Sequence, residues 1–563
     1  MKKIGFHIGI MLLLFSCAKD LKKETPLSDQ PDLKKELHQF FRTNFNRLDS
    51  AQAIHEVSLN HTEHINRFYQ KTAHQLIWID DSLRVTETAQ KVIEILNSAD
   101  EYGLSASMYG VPLLLDLKRQ LPAIKDNNKR YRIASEIELL LTNWYLLFTK
   151  HLNYGVLDSL DSITLLPRKE FSIDLSDHLF QGYQKNNLIG GLLEVQPKHD
   201  AYKKLQLQLK ERISNNHLST ERVEVRNFRI DSMRAIDQAQ KALVLHRYLD
   251  SVSVDTVFIA ALKTFQEDHG LNADGLVGKN TAEALSKSPY EYYQTLVVNL
   301  ERWRWKEAFP DDYLLVNIPA YDLRMFVDGQ YQFKHRTVVG KFASQTPELR
   351  DSLKTIIAYP YWYVPKKISL EEILVKAQED STYFSRNNFE VITYQKDSVA
   401  YESLNWDEIN KGNFNYLVRQ GGGYLNSLGL VKFIFPNKQA IYLHDTPAMH
   451  LFGKEKRAFS HGCVRVQGSL KLADYLLKFD ENEMTIDSVR RYIKLKKEKP
   501  IKMNRRLPIY LYYMTAVVDE NDRLILYPDI YEKDKLILEQ MYAKLEKNKV
   551  LLTKKTAANQ PAD

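Results

Sequence analysis

Between about residues 37 and 240, apolar positions recur three and four apart, as Val92, Ile93 and Leu96 do, and this spacing predicts packed helices. Ile137-Glu138-Leu139-Leu140-Leu141-Thr142-Asn143-Trp144-Tyr145 is apolar enough for a helix buried in a core, and Tyr102-Gly103-Leu104-Ser105 reads as a helix stop followed by a new cap. From 237 to 287 the helical stretches shorten. Leu262, Phe265 and Leu285 mark their buried faces, and Gly270, Gly275 and Gly278 the turns between them. From about 311 the period drops to two. Tyr313-Leu314-Leu315-Val316-Asn317-Ile318 opens a run of strands continued by Leu323-Arg324-Met325-Phe326-Val327 and Arg336-Thr337-Val338-Val339-Gly340, with Asp328-Gly329 as a hairpin turn. Further strands are expected at 430–435 and 440–444. Between 365 and about 415 the alternation breaks and 370–377 looks helical, which suggests an insertion over a β-rich domain, a candidate lid. Beyond 460 the pattern predicts a helix at 469–479, a solvated basic linker at 494–502, strands at 507–518 and 523–527 around the turn 519–522, and a last helix at 533–552.

The fold class is therefore α+β and multidomain: a helical scaffold, a small three-helix domain and a β-rich domain with an inserted lid. A length of 563 residues accommodates three or four domains, and 44% hydrophobic with 26% charged residues excludes a mostly disordered chain. The net charge of +7 permits anionic partners without calling for nucleic acid. Two cysteines, Cys17 and Cys463, cannot build a disulfide framework, so each needs its own explanation.

Met1-Lys2-Lys3 followed by a short apolar stretch at 4–15 reads as a signal peptide, too short to span a bilayer. Leu14-Phe15-Ser16-Cys17 resembles the bacterial lipoprotein processing box. That resemblance implies cleavage before Cys17, lipidation of Cys17, a polar tether over 17–36 and attachment to a membrane. Cys463 then remains as the one thiol of the processed chain.

The chemistry concentrates in Tyr442-Leu443-His444-Asp445-Thr446-Pro447 and Ser460-His461-Gly462-Cys463-Val464-Arg465-Val466. A thiol is a nucleophile as its thiolate, so it needs a base or a cation close by. His461 is two residues from Cys463, and His444 ends a strand upstream. Gly462 leaves the backbone N–H groups near Cys463 unobstructed for an oxyanion, and Arg465 offers a fixed charge suited to a carboxylate. Tyr442 shares a strand face with His444, since residues two apart point the same way. The alternatives are a buried, inert cysteine, or a zinc site drawn from His444, His450, His461 and Cys463, whose spacing matches no familiar zinc motif.

His444, fifteen residues, then Ser460-His461-Gly462-Cys463 resembles the signature of the L,D-transpeptidase catalytic domain (the YkuD type). Arg419-Gln420, Leu425-Asn426-Ser427-Leu428-Gly429, Lys432-Phe433, Phe435-Pro436-Asn437 and Arg457-Ala458-Phe459 are similar to its large multidomain subgroup. Phe265-Gln266, Gly270-Leu271, Asp274-Gly275, Gly278, Thr281 and Leu285 resemble a peptidoglycan-binding domain. The organisation this implies is a signal peptide at 1–16, a tether at 17–36, a helical scaffold at 37–236, a peptidoglycan-binding domain at 237–287 and a catalytic domain at 311–500 with its lid at about 366–415. C-terminal strands and a helix at 501–552 and a tail at 553–563 follow. The resemblance implies that Cys463 attacks the third residue of a tetrapeptide stem and releases D-alanine. His444 would keep the thiol anionic, with its imidazole oriented by the backbone carbonyl of Asp445. His461, Gly462 and Cys463 would line the oxyanion site, and Tyr442, Asp445, Ser460 and Arg465 the substrate cleft. An amine acceptor then gives a 3→3 cross-link. No metal or organic cofactor is implied. The implied partners are peptidoglycan stem peptides and glycan, a membrane through the lipid, and carbapenem-type β-lactams as inhibitors; the location is the cell envelope, on the periplasmic side. Arg465 departs from the asparagine common in smaller members. The same acyl-enzyme also serves an L,D-carboxypeptidase or attachment of a protein to peptidoglycan, and a non-catalytic wall tether is the alternative from another class.

Overall fold

The computed structural model describes residues 33–553 apart from 51–52, 55–56, 161–162, 165, 253–255, 381, 406–407 and 411. The proposed leader, Cys17 and the residues after 553 lie outside the described residues. Among the described residues, no helix is long and apolar enough to cross a membrane.

The N-terminal helices pack around α1 (Asn127–Tyr154), which is buried almost throughout between Ala134 and Leu152. Its Glu138, fully enclosed, accepts the Ile77 and Trp78 backbone N–H groups at 2.7 and 2.9 Å and the Tyr69 hydroxyl at 2.8 Å. Burial pushes that carboxyl up to about 7. Gly103 ends the preceding helical turn with φ +64°, the conformation a helix stop at this position requires. His61 and His64 are half-buried, and burial takes the His61 imidazole down to about 4.

Helices α2 (Ser232–Leu245), α3 (Thr256–Asp268) and α4 (Lys279–Leu285) enclose a small core of their own around Leu243, Leu262, Phe265 and Leu285. Next comes α5 (Pro289–Arg304), opened by a capping box between Ser288 and Glu291. It carries charges into the interior. Glu301 accepts the Val156 N–H at 2.7 Å, Arg304 bonds the Tyr102 carbonyl, and Arg302 pairs with Asp534 at 2.5 Å. The chain passes from the helical part into the β-rich part through this element.

The β-rich part is a closed barrel. Its strands are β1 (Tyr313–Asn317), β2 (Asp322–Val327), β3 (Gln330–Gly340), β4 (Leu349–Ala358), β5 (Val431–Ile434), β6 (Leu443–His444), β7 (Ala458–Ser460), β8 (Val464–Val466) and β9 (Lys499–Tyr512). They run β3-β8-β6-β5-β4-β9-β1-β2 and close back on β3, with β7 alongside the end of β3. Val431, Phe433, Leu443, Val464 and Val466 point into the core, together with helix α6 (Ser469–Phe479). A last helix, α7 (Lys533–Thr553), follows.

The insertion between β4 and β5 has its own four-stranded sheet (Trp362–Tyr363, Leu417–Gln420, Phe389–Ile392, Ser398–Val399) and its own core around Ile373, Phe389, Val391 and Val418.

Four expectations are corrected here. Residues 499–502 are not linker but the start of β9: Lys499 pairs with Ala358 and Ile501 with Ile356, and Ile501 is buried in the barrel core. The strands from 501 onward are thus not a C-terminal addition, since β9 is a stave between β4 and β1. The strand at 507–518 breaks at Tyr512, and Ala516–Val518 forms a separate hairpin with Leu524–Leu526. Likewise 440–442 is not strand. The Asn437 side chain captures the Ile441 N–H (2.9 Å) and C=O (2.7 Å), and Ala440 has φ +54°, so only Leu443 and His444 join the ladder.

The buried Arg302–Asp534 pair, with Thr515 also bonded to Asp534 at 2.6 Å, ties α5 and α7 to the barrel. Asp534→Ala leaves a guanidinium uncompensated and should cost about 3 kcal/mol. Calorimetry should show the barrel transition falling by roughly 6–12 °C; an unchanged transition would contradict this role.

Candidate active site

The site is set by strand register. In the parallel pair β6–β8, Leu443 lies opposite Val464 and His444 opposite Arg465, which brings Tyr442 level with Cys463. On the other side, Lys432 of β5 lies opposite His444. Alternation sends the apolar partners inward, so Lys432, Tyr442, His444, Cys463 and Arg465 share the outer face. Side-chain contacts agree: the Lys432 Nζ sits 3.7 Å from the Tyr442 ring centre, and the Tyr442 and His444 rings are 5.7 Å apart.

His444 is 3% exposed, and its Nδ1–H donates to its neighbour's carbonyl, Asp445 O, at 2.5 Å, which leaves Nε2 as the acceptor. Burial, then the Arg465 and Lys432 charges, hold this imidazole down at about 3. The Asp445 carboxylate accepts the Leu430 N–H at 2.9 Å, while the Asp445 N–H donates to Val431 O at 2.9 Å. Asp445 therefore pins the loop before β5 rather than presenting its carboxylate to a cleft.

Burial pushes the Cys463 thiol up, opposed by the Tyr442 N–H and hydroxyl and by the Lys432 and Arg465 charges. Burial thus disfavours both a thiolate at Cys463 and a charged imidazole at His444, whereas the resemblance implies an anionic thiol. Arg465 is half-buried, its Nε has no hydrogen-bond partner, and it forms no ion pair among the described residues.

The turn that carries the thiol is held from beneath. Ser460 is buried; its hydroxyl donates to Cys463 O at 2.5 Å and accepts the Gly462 N–H at 3.1 Å. Gly462 has φ +115°, a conformation a side chain at this turn would strain. Its carbonyl accepts the Thr346 hydroxyl at 2.7 Å, and Thr346 in turn accepts the Gly340 N–H at 2.8 Å. The Gly462 N–H is therefore already engaged and is not left for an oxyanion. His461 faces the insertion: its Nε2 meets Glu372 Oε1 at 2.6 Å.

The register thus brings Cys463, His444, Tyr442 and Arg465 together, and places Ser460, Gly462 and Asp445 as their supports. The zinc alternative finds no geometry: among the described residues there is no group of three or more His, Cys, Asp or Glu side chains that could hold a metal. Lys432 was missed from sequence, although a lysine inside the apolar run Val431-Lys432-Phe433 is a signal of an outward, special position. Thr346 and Glu372 come from distant segments and carried no local signal.

Three family models match this chain. Residues 311–489 match the L,D-transpeptidase catalytic domain, 63–209 a scaffold domain, and 232–285 a "Putative peptidoglycan binding domain". A Haemophilus influenzae protein named "Putative L,D-transpeptidase" is 36% identical over 246 residues, covering 43% of this chain and 49% of that protein. The chain therefore spans about half the length of that curated relative. Among solved structures, an L,D-transpeptidase from Mycobacterium smegmatis is similar at 12% identity and TM-score 0.16, over 36% of this chain and 58% of that one. An L,D-transpeptidase from Stackebrandtia nassauensis is similar at 12% identity and TM-score 0.20, over 52% and 95%. The chain carries the YkuD-type catalytic domain of the L,D-transpeptidase family, joined to a peptidoglycan-binding domain.

Two predictions follow from this geometry. Thr346→Val keeps the shape but strands the Gly340 N–H and the Gly462 C=O; acylation of Cys463 should slow by about 10- to 100-fold, with an unchanged circular dichroism spectrum. An unaltered rate would remove Thr346 from the positioning of the turn. A base held at about 3 stays unprotonated through mildly acidic pH. The acylation rate should therefore be flat from pH 8 to pH 5 and rise as the thiol ionises at alkaline pH, whereas an ordinary histidine would lose about tenfold per unit below pH 6.5.

Proposed function

We propose that the protein is a peptidoglycan L,D-transpeptidase with Cys463 as nucleophile. The observation that carries this reading is the β6–β8 register, which sets an oriented imidazole with a free Nε2 beside the strand that presents the thiol. As Cys463 Sγ attacks the carbonyl carbon of the third stem residue, its proton passes to His444 Nε2. The oxyanion is held by the Cys463 N–H with the Lys432 and Arg465 charges nearby. Collapse breaks the peptide bond, and the His444 imidazolium returns the proton to the departing D-alanine amine. The side-chain amine of a second stem then attacks the thioester, loses a proton to His444 and releases the thiol, leaving a 3→3 cross-link.

Arg465, partly buried and unpaired, fits a stem carboxylate, and Tyr442 fits a substrate contact. A neutral resting pair suits this chemistry, because charge separates only when substrate arrives, and the two cations then favour thiolate and oxyanion alike. The insertion, fastened through Glu372 and His461, acts as a cover over the outer face. The three-helix domain would hold the wall, and Cys17 would anchor the chain in the cell envelope.

Cys463→Ala should abolish turnover while the fold stays intact. His444→Ala should slow acylation by a carbapenem-type β-lactam by about 10²–10⁴-fold, and His461→Ala by less, followed by intact mass. Full activity in Cys463→Ala, or a larger loss in His461→Ala, would overturn the assignment. Incubation with a disaccharide-tetrapeptide separates the outcomes: a dimer supports cross-linking, a tripeptide monomer marks a carboxypeptidase, and an unreactive thiol leaves only a wall tether.

A further inference from the structure

At the opposite end of β8 from Cys463, roughly 13 Å along the strand, lies a cavity of about 630 Å³ that the reaction at the thiol does not use. Its size is that of a small-molecule site. It opens between the β1–β2 turn (Ala320, Tyr321, Asp322), residues 333–336 of β3, and Gly468 at the start of α6.

Its wall is charged in an unbalanced way. Lys334, Arg336, Arg457 and Lys471 line it without an ion pair among the described residues. Among the described residues, the buried Arg457 has only backbone carbonyls as hydrogen-bond partners, those of Thr337, Lys454, Glu455, Ala320 and Tyr321. Burial, then the Arg336 charge, pull its guanidinium down to about 10. The His335 Nδ1 bonds the Gln467 carbonyl at 2.7 Å, and Asp474 is neutralised by Lys478 at 3.0 Å. Helix α6 is eleven residues long and begins at the cavity, so its open first-turn amides add positive potential.

A second observation points to a ligand with a donor as well. Tyr321 (6% exposed) and Asp322 (8% exposed) both line the cavity, and the Tyr321 hydroxyl and Asp322 Oδ1 are buried with no hydrogen-bond partner. Asp322 Oδ2 is taken by Arg324, at 3.0 and 3.1 Å. A buried carboxylate oxygen left without a partner in the wall of a cationic cavity repels a plain anion and calls for an N–H or O–H donor. A plain cation is in turn repelled by the four unpaired cations.

We propose that this cavity binds an amino-acid headgroup, a carbon bearing both a carboxylate and an ammonium group. The carboxylate faces Lys334, Arg336, Lys471 and the α6 amides, and the ammonium donates to Asp322 Oδ1 and the Tyr321 oxygen. The occupant is either a free amino acid or the end of a peptide, and the site does not depend on the reaction at Cys463.

Titration of the purified full chain by saturation-transfer NMR tests this, with D-alanine, a soluble tetrapeptide stem, acetate, methylamine and inorganic phosphate as probes. D-Alanine or the tetrapeptide should bind at least about tenfold more tightly than acetate, methylamine or phosphate, because only they satisfy both halves of the site. Binding of D-alanine alone identifies a free amino acid, and binding of the tetrapeptide alone a peptide end. Lys334→Gln with Lys471→Gln, both exposed and safe for folding, should weaken that binding about tenfold. Tyr321→Phe should weaken it about fivefold. All three substitutions should leave carbapenem acylation of Cys463 unchanged. Phosphate or acetate binding as tightly as the zwitterions, no binding by any probe, or binding indifferent to all three substitutions would each overturn the proposal.

Discussion

The parallel pairing of β6 with β8 is the constraint on which the site depends. Parallel neighbours cannot be joined by a tight turn, so the chain leaves His444, passes the short helix Met449–Gly453 and β7, and returns at Cys463. Because side chains alternate, one register sends Leu443, Val464 and Val466 into the core and Tyr442, His444, Cys463 and Arg465 outward. A slip by one residue would reverse every one of them. The hydrophobic core therefore selects this register, and the surrounding polar groups only lock its ends: Asn437 on Ile441, Asp445 on Leu430, Ser460 and Thr346 on the turn before β8.

The electrostatics follow from where that outer face lies. Lys432, His444 and Arg465 form one row across three strands, and all are substantially withdrawn from water. Burial does most to hold the His444 imidazole low, and the Arg465 and Lys432 charges add to it, since a proton there would place a third positive charge in that row. The same row has the opposite effect on negative charge. Desolvation disfavours a thiolate at Cys463, and the Lys432 and Arg465 charges oppose that effect.

How much of this was legible depended on the range of the interaction. Period-two alternation at 313–318, 323–327 and 430–435 and the Asp328-Gly329 turn are local signals, and the barrel strands fall on them. Local signals failed where a distant partner decided. Lys499-Pro500-Ile501-Lys502 reads as a charged linker, yet pairing with β4 makes it strand, its lysines flanking the inward Ile501. Ala440-Ile441-Tyr442 reads as strand, yet the Asn437 side chain replaces the ladder bonds of Ile441. In the site, the Cys–His string announced itself, while its supports did not, since Thr346 lies 116 residues from the carbonyl it holds.

The rest of the chain is held to this barrel by an unusual use of charge. Arg302, Arg304 and Lys306 stand within five residues and are all buried, yet each reaches a different neighbour. Arg302 meets Asp534 and Thr515 of the C-terminal segment. Arg304 meets the Tyr102 carbonyl and Tyr202 of the N-terminal helices, and Lys306 meets Glu348 just before β4. Burying ions gains little net stability over apolar packing, so a hydrophobic α5 would hold these parts together as firmly. It would not fix their angle. Ion pairs and hydrogen bonds are directional, and those of Arg302 and Arg304 on α5 and of Lys306 just beyond its end restrict how helices, barrel and C-terminal segment meet. Outer contacts extend that orientation to the three-helix domain, where Glu455 meets Asn280 at 2.5 Å and Arg523 meets Asp268 at 2.7 Å. It is geometry of this kind, rather than added stability, that the buried charges supply.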